Sequence, residues 1–221
     1  NLVGIDDNIV TLSGNDGIAL RDSGLVTINN NNVTLSGQHG IFVDPSFGID
    51  VSGNFVALSA VDGIHIEDVI GLNVADNIVT LSGDDGIDAQ NVALFTINNN
   101  IVSLSGDDGV ELSNAAVGNV NDNFITLSGD DGIDGDNLLL TGIDGNIVSL
   151  SGNNGIEVSD AAFTSVNNNF VTLSGNDGIH LDGGLFTDIN GNFVSLSGDD
   201  GIDVDDTLFA NILGNNVSLS G

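Results

Sequence analysis

The stretch "NIVTLSGDDGI", residues 77–87, decides the fold, because close copies of it return along the whole chain. Its triplet "LSG", or "LSA" in one copy, recurs every 23 residues without an insertion. The 221 residues therefore form nine complete units and a tenth that stops after fourteen residues. A fixed period of this length is typical of repeat architectures. We predict a single repeat domain over residues 1–221, with the triplets beginning at Leu12, Leu35, Leu58, Leu81, Leu104, Leu127, Leu150, Leu173, Leu196 and Leu219.

The apolar residues of each unit fall into columns when the positions are numbered from 1 to 23, starting at residue 1. Positions 5, 10 and 18 hold Ile or Val in every unit that has them, and position 12 holds Leu. The alternation in "VTLS" and in the stretch after "DDG" is that of half-buried strands. A third apolar stretch precedes an Asn-rich turn. The pattern predicts an all-β protein with three short strands per unit and no helix.

One such unit cannot bury its own apolar residues, but stacked units can, because identical positions then lie over one another at about 4.8 Å. The sequence therefore predicts a parallel β-solenoid of about ten coils, roughly 45 Å long at that spacing. We expect Val10, Leu12, Ile18 and their equivalents to form the core. On this interpretation Leu104→Ala creates a cavity and costs about 2–5 kcal/mol.

The pattern N-x-[IV]-x-x-S-G-x-x-G-[IV], present along the whole chain, resembles the parallel β-helix repeats of the pectate-lyase-like superfamily. This resemblance implies a right-handed parallel β-helix with 23 residues per coil. The superfamily includes polysaccharide lyases and hydrolases, phage tailspikes, adhesins and structural rods. The resemblance therefore indicates the fold, while the activity has to be argued from a site.

The charge balance excludes several partners. The chain has 32 Asp and Glu, one Arg and no Lys, which gives a formal net charge of -31. Such a surface repels nucleic-acid phosphates and anionic lipid headgroups. No apolar run approaches the 18 or so residues of a membrane span. We predict no nucleic-acid partner and no membrane span.

The acidic residues recur at positions 15, 16 and 19, so that carboxylates stack from coil to coil. Carboxylates about 5 Å apart repel one another unless cations or protons screen them. Calcium, which prefers six to eight oxygen ligands, suits such a ladder. The other interpretation is a solvated acidic edge that binds no specific ion. The candidate metal ligands are Asp84, Asp85, Asp88, Asp107, Asp108, Asp130, Asp131, Asp134, Asp199, Asp200 and Asp203.

Three further columns bear on function. The invariant Asn of position 8 predicts an inward hydrogen-bonded ladder. The Thr and Ser of positions 11 and 13 are expected to point outward, and a flat T-x-S array suggests ice binding as a lesser alternative. Position 9 carries Ile or Phe in eight of ten units. This Ile/Phe stripe either packs against a neighbouring molecule or segment, or folds into the core.

Catalytic residues are not evident. The sequence places His39, His65 and His180 in no triad or metal cluster, and each is expected to be an exposed substitution. Units 2 and 3, which contain Pro45 and Phe42, diverge most from the others. A packing irregularity is the expected reason, with a ligand site there as the alternative.

These observations favour a non-enzymatic structural rod, extracellular or on the cell surface, such as a filament subunit or an adhesin stalk. We expect self-association, either end to end through strand edges or laterally through the Ile/Phe stripe. No catalytic residue and no cofactor other than calcium is predicted. The alternative is a polysaccharide-binding or polysaccharide-cleaving β-helix protein. The absence of Trp and Tyr, which stack on sugar rings, favours the rod.

Overall fold

A computed structural model describes residues 3–221 as a parallel β-solenoid without helices. Each coil contributes one strand to a ten-stranded sheet and, in most coils, two strands to a seventeen-stranded sheet. Every strand pair is parallel and joins residues 23 apart, as in Val79 opposite Val102. The predicted all-β solenoid with 23-residue coils and three strands per coil is confirmed.

The ten-stranded sheet is built from positions 9–13, where β-branched residues suit a pleated strand. We call it the narrow sheet. Its strands are β2 (Ile9–Ser13), β4 (Asn32–Ser36), β6 (Phe55–Ser59), β9 (Ile78–Ser82), β12 (Ile101–Ser105), β15 (Phe124–Ser128), β18 (Ile147–Ser151), β21 (Phe170–Ser174), β24 (Phe193–Ser195) and β27 (Asn216–Ser218).

The seventeen-stranded sheet, the broad sheet, takes the rest of each coil. In the first coils its two strands run together into one long strand. It comprises β1 (Val3–Asp6), β3 (Ile18–Asn29), β5 (Ile41–Ser52), β7 (Ile64–Glu67), β8 (Val69–Ala75), β10 (Ile87–Gln90), β11 (Ala93–Asn98), β13 (Val110–Ser113), β14 (Ala116–Asn121), β16 (Ile133–Asp136), β17 (Leu139–Asp144), β19 (Ile156–Ser159), β20 (Thr164–Asn167), β22 (Ile179–Asp182), β23 (Phe186–Asn190), β25 (Ile202–Asp205) and β26 (Phe209–Leu213).

The core lies between the two sheets and contains the predicted Ile and Val columns. Val79, Ile87 and Ile97, from positions 10, 18 and 5, are fully buried. Positions 20 and 3 add further buried residues, among them Leu112 and Phe95. Stacking identical β-branched residues at one strand spacing fills the interior continuously, which is how a repeat too small to fold alone is stabilised.

The prediction that Leu of position 12 lies in the core is wrong. Leu104 is 44% exposed and has φ of 60°. The Leu at position 12 of all the remaining coils has the same left-handed backbone. One left-handed residue within a strand reverses the alternation of side chains, so Leu points outward and the following Ser points inward. The expected cavity cost of Leu104→Ala therefore does not apply. Ser105, which was expected outside, is buried.

This reversal also removes the surface on which the ice-binding alternative depends. The Ser of position 13 is buried from Ser36 to Ser174. One hydroxyl column remains on the outside, at position 11, and it is half-buried between the side chains of positions 9 and 12. A flat array of two hydroxyl columns is not formed.

The Asn ladder of position 8 is confirmed. The side-chain amide of Asn77 donates to Asn100 Oδ1 at 2.9 Å and to the carbonyl of Val51 at 2.9 Å. Asn100 Oδ1 also accepts from the backbone N–H of Asn77 at 3.0 Å. Each buried amide thus satisfies turn groups in two coils, which fixes the corner that leads into the narrow sheet.

Candidate functional site

The turn that follows the narrow sheet places positions 16 and 19 side by side. Position 16 lies in the turn, and position 19 lies one residue inside the next strand of the broad sheet. The Gly of position 17 lets this turn pack against the next coil, because a Cβ on Gly86 would lie 2.2 Å from Val102 Cγ1. The ionisable side chains of this edge therefore stack along the solenoid.

Position 16 forms a second ladder, which the sequence did not reveal. The backbone N–H of Asp85 donates to Asp62 Oδ1 at 3.1 Å, that of Asp108 to Asp85 Oδ1 at 2.8 Å, and that of Asp131 to Asp108 Oδ1 at 2.7 Å. Asn154 takes the same role, since its Oδ1 accepts from the N–H of Asp177 at 3.0 Å. These Asp side chains point inward and are buried. The solvated acidic edge, one of the two interpretations of the sequence, is therefore not formed by these residues.

The placement of the candidate metal ligands follows from this inward turn. Asp84, Asp107, Asp130 and Asp199, all at position 15, are exposed. At position 16 Asp85, Asp108 and Asp131 are buried, whereas Asp200, near the end of the stack, is exposed. At position 19 Asp88 is buried, and Asp134 and Asp203 are half-buried. We call the run through the middle coils the acidic column; it comprises Asp85, Asp88, Asp108, Glu111, Asp131 and Asp134.

Burial keeps several of these carboxyls protonated. Burial and a hydrogen bond with Glu111 raise the pKa of Asp85 to about 10. Burial also raises the pKa of Asp108 to about 8 and that of Asp131 to about 9, with neighbouring carboxylates adding to the effect. The pKa of Asp134 rises to about 7 for the same reasons. Bound protons therefore neutralise part of this stack, and any cation has to compete with them.

The first coils differ, because they bring histidines into the same two positions. His39 Nδ1 and His65 Nδ1 each lie 3.0 Å from Asp62 Oδ2, and His65 Nδ1 lies 2.7 Å from Asp88 Oδ2. The two imidazole centroids are 4.6 Å apart. The prediction that these histidines form no cluster and are exposed is therefore wrong. His39 comes from position 16 and His65 from position 19, so neighbouring columns had to be compared to find the pair.

An aromatic ring and a guanidinium complete this group. Phe42 stacks on His65 with centroids 5.3 Å apart and planes within 3°. The guanidinium carbon of Arg21 lies 4.4 Å from the Phe42 centroid, and Arg21 also pairs with Asp16 at 3.3 Å. We call Arg21, His39, Phe42, Asp62 and His65 the basic cluster. The divergent residues of units 2 and 3, together with Arg21 of unit 1, thus contact one another in the structure.

Charges in the basic cluster are balanced, in contrast to the acidic column. Burial opposes ionisation of Asp62, but hydrogen bonds with His39 and His65 outweigh it and lower its pKa to about 2. Burial likewise opposes protonation of His65, but Asp62 and Asp88 raise its pKa to about 10. At neutral pH Asp62 is an anion and His65 a cation. Asp62 was missing from the candidate residues, although its 23-residue spacing from His39 was visible in the sequence.

His180 occupies position 19 in a distant coil and has simpler surroundings. Its Nδ1 lies 3.3 Å from Asp177 Oδ2. Asp203 offers a third ligand atom within 4.8 Å of these two residues. No aromatic ring contact of His180 is present within residues 3–221. His180 is therefore a natural comparison for His65.

Comparisons with known proteins bear on fold and function. The family model for the right-handed β-helix region matches residues 1–142. No curated protein sequence matches the chain. Within residues 3–221, no helix has the length and hydrophobicity needed to cross a membrane.

Three solved structures illustrate the similarity. The periplasmic alginate epimerase AlgG is 21% identical over 87% of this chain, with a TM-score of 0.80. The enzymatically active domain of bacteriophage CBA120 tailspike protein 2 is 17% identical over 86% of the chain, with a TM-score of 0.75. The α-1,3-glucanase of Streptomyces thermodiastaticus is 12% identical over 93% of the chain, with a TM-score of 0.60. The chain spans 50%, 35% and 49% of those three proteins respectively.

At these identities the likeness shows the fold. The proteins that share it are nevertheless enzymes, two of them named for the polysaccharides alginate and α-1,3-glucan. The expectation of a non-enzymatic filament or adhesin rod is contradicted by this finding.

Proposed function

Because this chain belongs to the right-handed β-helix family, we propose that it binds a polysaccharide at the basic cluster and cleaves it there. The observation that carries the proposal is the gathering of basic side chains. The chain has one Arg, no Lys and three His. Three of these four lie together around Phe42 and Asp62.

Charge compensation makes the cluster the favourable place for a polymer to approach. Elsewhere stacked carboxylates repel the uronate groups of acidic sugars. At the cluster, Arg21 and His65 offset Asp16 and Asp62, and the Arg21 side chain is 54% exposed. A guanidinium can bind a carboxylate or a sugar hydroxyl through two N–H groups. The half-buried Phe42 adds apolar surface beside it.

The carboxyl groups beside the cluster suit acid–base chemistry. Oxygens of Asp62, Asp84 and Asp85 all lie within 4.8 Å of one another. Asp62 is ionised while Asp85 holds a proton, since their pKa values are about 2 and about 10. Both of these carboxyls are buried and point inward, whereas Asp84 is exposed. We therefore assign Asp84 as the carboxyl that reaches the polymer for acid–base chemistry, with the ionised Asp62 and the protonated Asp85 behind it.

A polysaccharide screen tests this assignment. The protein is incubated with alginate, polygalacturonate and α-1,3-glucan, and new reducing ends and absorbance at 235 nm are measured. Retardation in native gels containing each polymer reports binding separately. We expect product from at least one polymer. Retardation without product would contradict cleavage but not binding. If no polymer gave either retardation or product, the whole proposal would be overturned.

Matched variants locate the activity. His65→Gln removes the imidazolium of the basic cluster, and we expect at least a tenfold loss of product. His180→Gln makes the same change at the same position of a coil without Phe42, and we expect no loss. Equal effects of the two substitutions would contradict a site at the basic cluster.

The proposed substrate also bears on location. Polysaccharides of this kind lie outside the cytoplasm, and the similar alginate epimerase is periplasmic. We therefore propose an extracellular or cell-surface location for this chain. Secretion of the native protein, followed by fractionation of the cells that produce it, measures this directly.

We also propose that Asp85, Asp88 and Glu111 bind a calcium ion. Oxygens of these three residues lie within 4.8 Å of one another. Asp88 is 3% exposed, and its Oδ1 is buried without a hydrogen-bond partner. An unpaired buried carboxylate oxygen is costly, and a cation relieves that cost. The competing occupant is a proton shared by Asp85 and Glu111, so calcium binding must release protons at neutral pH.

Calorimetry with calcium chloride at pH 6 and pH 8 distinguishes the two occupants. We expect tighter binding at pH 8, and an enthalpy that varies with the ionisation enthalpy of the buffer because protons are released. Glu111→Gln should abolish the binding heat, and Asp188→Asn, on another exposed surface, should leave it unchanged. Absence of heat at both pH values, or equal heat from both variants, contradicts a calcium site.

A further inference from the structure

The outer surface of the narrow sheet carries no charge. Positions 8–14 contain no Asp, Glu, Arg or His in any of the ten units, although the chain holds 32 acidic residues. All of the ionisable side chains therefore belong to the other positions of the repeat. We call the outward side chains of positions 9, 11 and 12 the neutral face. It runs the full length of the stack, because every coil contributes one strand to the narrow sheet.

The neutral face has two apolar ridges with a shallow valley between them. The Ile/Phe stripe of position 9 forms one ridge, as shown by Ile101 at 45% and Phe124 at 43% exposure. This settles the alternatives left by the sequence, since the stripe points outward and not into the core. Phe170 and Phe193 stack within it at 4.9 Å. The Leu column of position 12 forms the other ridge, and the half-buried Thr and Ser of position 11 line the valley.

The backbone holds the Leu ridge outward at a cost. All ten Leu have φ near +60°, a conformation that costs an L-residue about 1–2 kcal/mol and that Gly or Asn adopts more readily. If the fold required only this backbone conformation at position 12, Gly or Asn would be favoured there. Ten coils with an exposed Leu in this conformation indicate that the apolar side chain itself is needed on the surface. Strained positions of this kind are concentrated where a surface has a function.

The size of the neutral face suits a protein partner. Ten strands at about 4.8 Å and four residues at about 3.3 Å give a footprint of roughly 45 by 13 Å, or about 600 Å². The corrugated accessible area is larger than its footprint. A standard stable interface buries about 800 Å² on each partner. The largest apolar patch on a typical monomer covers about 300–600 Å² and is often functional.

Charge restricts how a second copy of this chain can approach the neutral face. Two molecules of net charge -31 repel each other through every surface that carries the acidic residues. The neutral face is where two copies can meet without placing carboxylates against carboxylates. Because both ridges are periodic, the ridge of one copy can lie in the valley of the other, as in sheets packed about 10 Å apart. We propose that two copies of this chain pair face to face through their narrow sheets.

Sedimentation equilibrium over protein concentrations from 1 to 500 µM tests this pairing. We expect the mass to rise from 22.4 kDa towards twice that value. Raising the salt concentration should tighten the dimer, because screening weakens repulsion between the two anionic bodies. An interface held by ion pairs would respond in the opposite sense. A chain that stays monomeric throughout, or whose dimer weakens in salt, overturns the proposal.

Charge placed on the neutral face locates the interface. The double variant Leu104→Asp, Leu150→Asp puts carboxylates on the Leu ridge, and Asp tolerates the left-handed backbone better than Leu does. We expect at least a hundredfold weaker dimer with an unchanged circular dichroism spectrum. Leu140→Asp is the matched control, because Leu140 is also exposed, with φ of 55°, but lies on the broad sheet. We expect the Leu140→Asp variant to dimerise as strongly as the unsubstituted protein.

Other occupants predict other results. If the neutral face instead binds a flat polysaccharide surface, the protein stays monomeric and the Leu104→Asp, Leu150→Asp variant loses adsorption to insoluble glucan. That outcome overturns the proposal of a second copy. Equal weakening of the dimer by the double variant and by Leu140→Asp would also overturn it, since the effect would then reflect added charge and not position.

Discussion

Asp62 and Asp85 lie in neighbouring coils, at the same position of the repeat, and have opposite ionisation. Both are buried, and both accept a hydrogen bond from the backbone N–H of the next coil. Yet the pKa of Asp62 is lowered to about 2 and that of Asp85 is raised to about 10. The difference arises from their neighbours, since Asp62 contacts two histidines and Asp85 contacts Glu111. In this solenoid the position of a residue in the 23-residue repeat determines where its side chain lies. The side chains of the adjacent coils determine its charge.

The largest expected effect is a loss of stability as the pH rises. Asp85, Asp108 and Asp131 have folded pKa values of about 10, 8 and 9, above the ordinary value of 3.8. Below about pH 4 these groups are protonated in both states and do not affect the free energy of unfolding. As the pH rises, they ionise in the unfolded chain but keep their protons in the folded chain, which lowers the free energy of unfolding. We expect the free energy of unfolding to fall by on the order of 5 kcal/mol between pH 5 and pH 8.

Urea unfolding in metal-free buffer at both pH values measures this. The double variant Asp108→Asn, Asp131→Asn removes two of the raised groups and should flatten the pH dependence. A protein equally or more stable at pH 8 would show that the acidic column is ionised and screened, and the comparison between Asp62 and Asp85 would then collapse.

A smaller loss is expected when the basic cluster loses its imidazolium. His65→Gln leaves Asp62 and Asp88 buried without their cation, and breaking a buried ion pair costs about 3 kcal/mol. The raised pKa of His65 means that its stabilisation is complete below about pH 6.5 and is lost as the pH rises through about 10. The unfolding free energy is therefore best compared at pH 6.

His180→Gln is the control for this substitution. His180 lies 3.3 Å from a single carboxylate, that of Asp177, and is more exposed than His65. We expect a loss of less than about 1 kcal/mol, as for ordinary partly exposed ion pairs. Similar losses for His65→Gln and His180→Gln would mean that Asp62 and Asp88 do not depend on His65.

The sequence carried the architecture because the period is exact and the core columns are chemically pure. Ile and Val at positions 5, 10 and 18 have one favourable environment, so their burial could be inferred. The burial of Leu104 was predicted wrongly, because a left-handed residue inside a strand cannot be recognised from the alternation of apolar and polar residues. The burial of Ser105 and Asp85 was not predicted, because small polar residues are usually exposed. In a stacked coil, however, both side chains point into the interior.

The candidate site was harder to predict, because it depends on pairs formed between columns. His39 and His65 differ in both coil and position, and their common partner Asp62 looked like one more member of an acidic ladder. The signal was present in the register, since His39 precedes Asp62 by one period and His65 follows it by three residues. Distances, however, were needed to show that all three side chains turn to the same point.

The smallest expected effect is a gain in stability from removing a charge that the fold does not use for stability. Asp85→Asn keeps an oxygen to accept the N–H of Asp108, as Asn154 does for Asp177. It also removes a carboxyl that only the unfolded chain can ionise at pH 8. We expect a gain of about 1–2 kcal/mol at pH 8 and almost none at pH 4. Asp62→Asn should instead destabilise the protein at pH 8, because His65 then loses a carboxylate. The two unfolding free energies give the sign directly, and a loss in both variants would contradict a protonated Asp85.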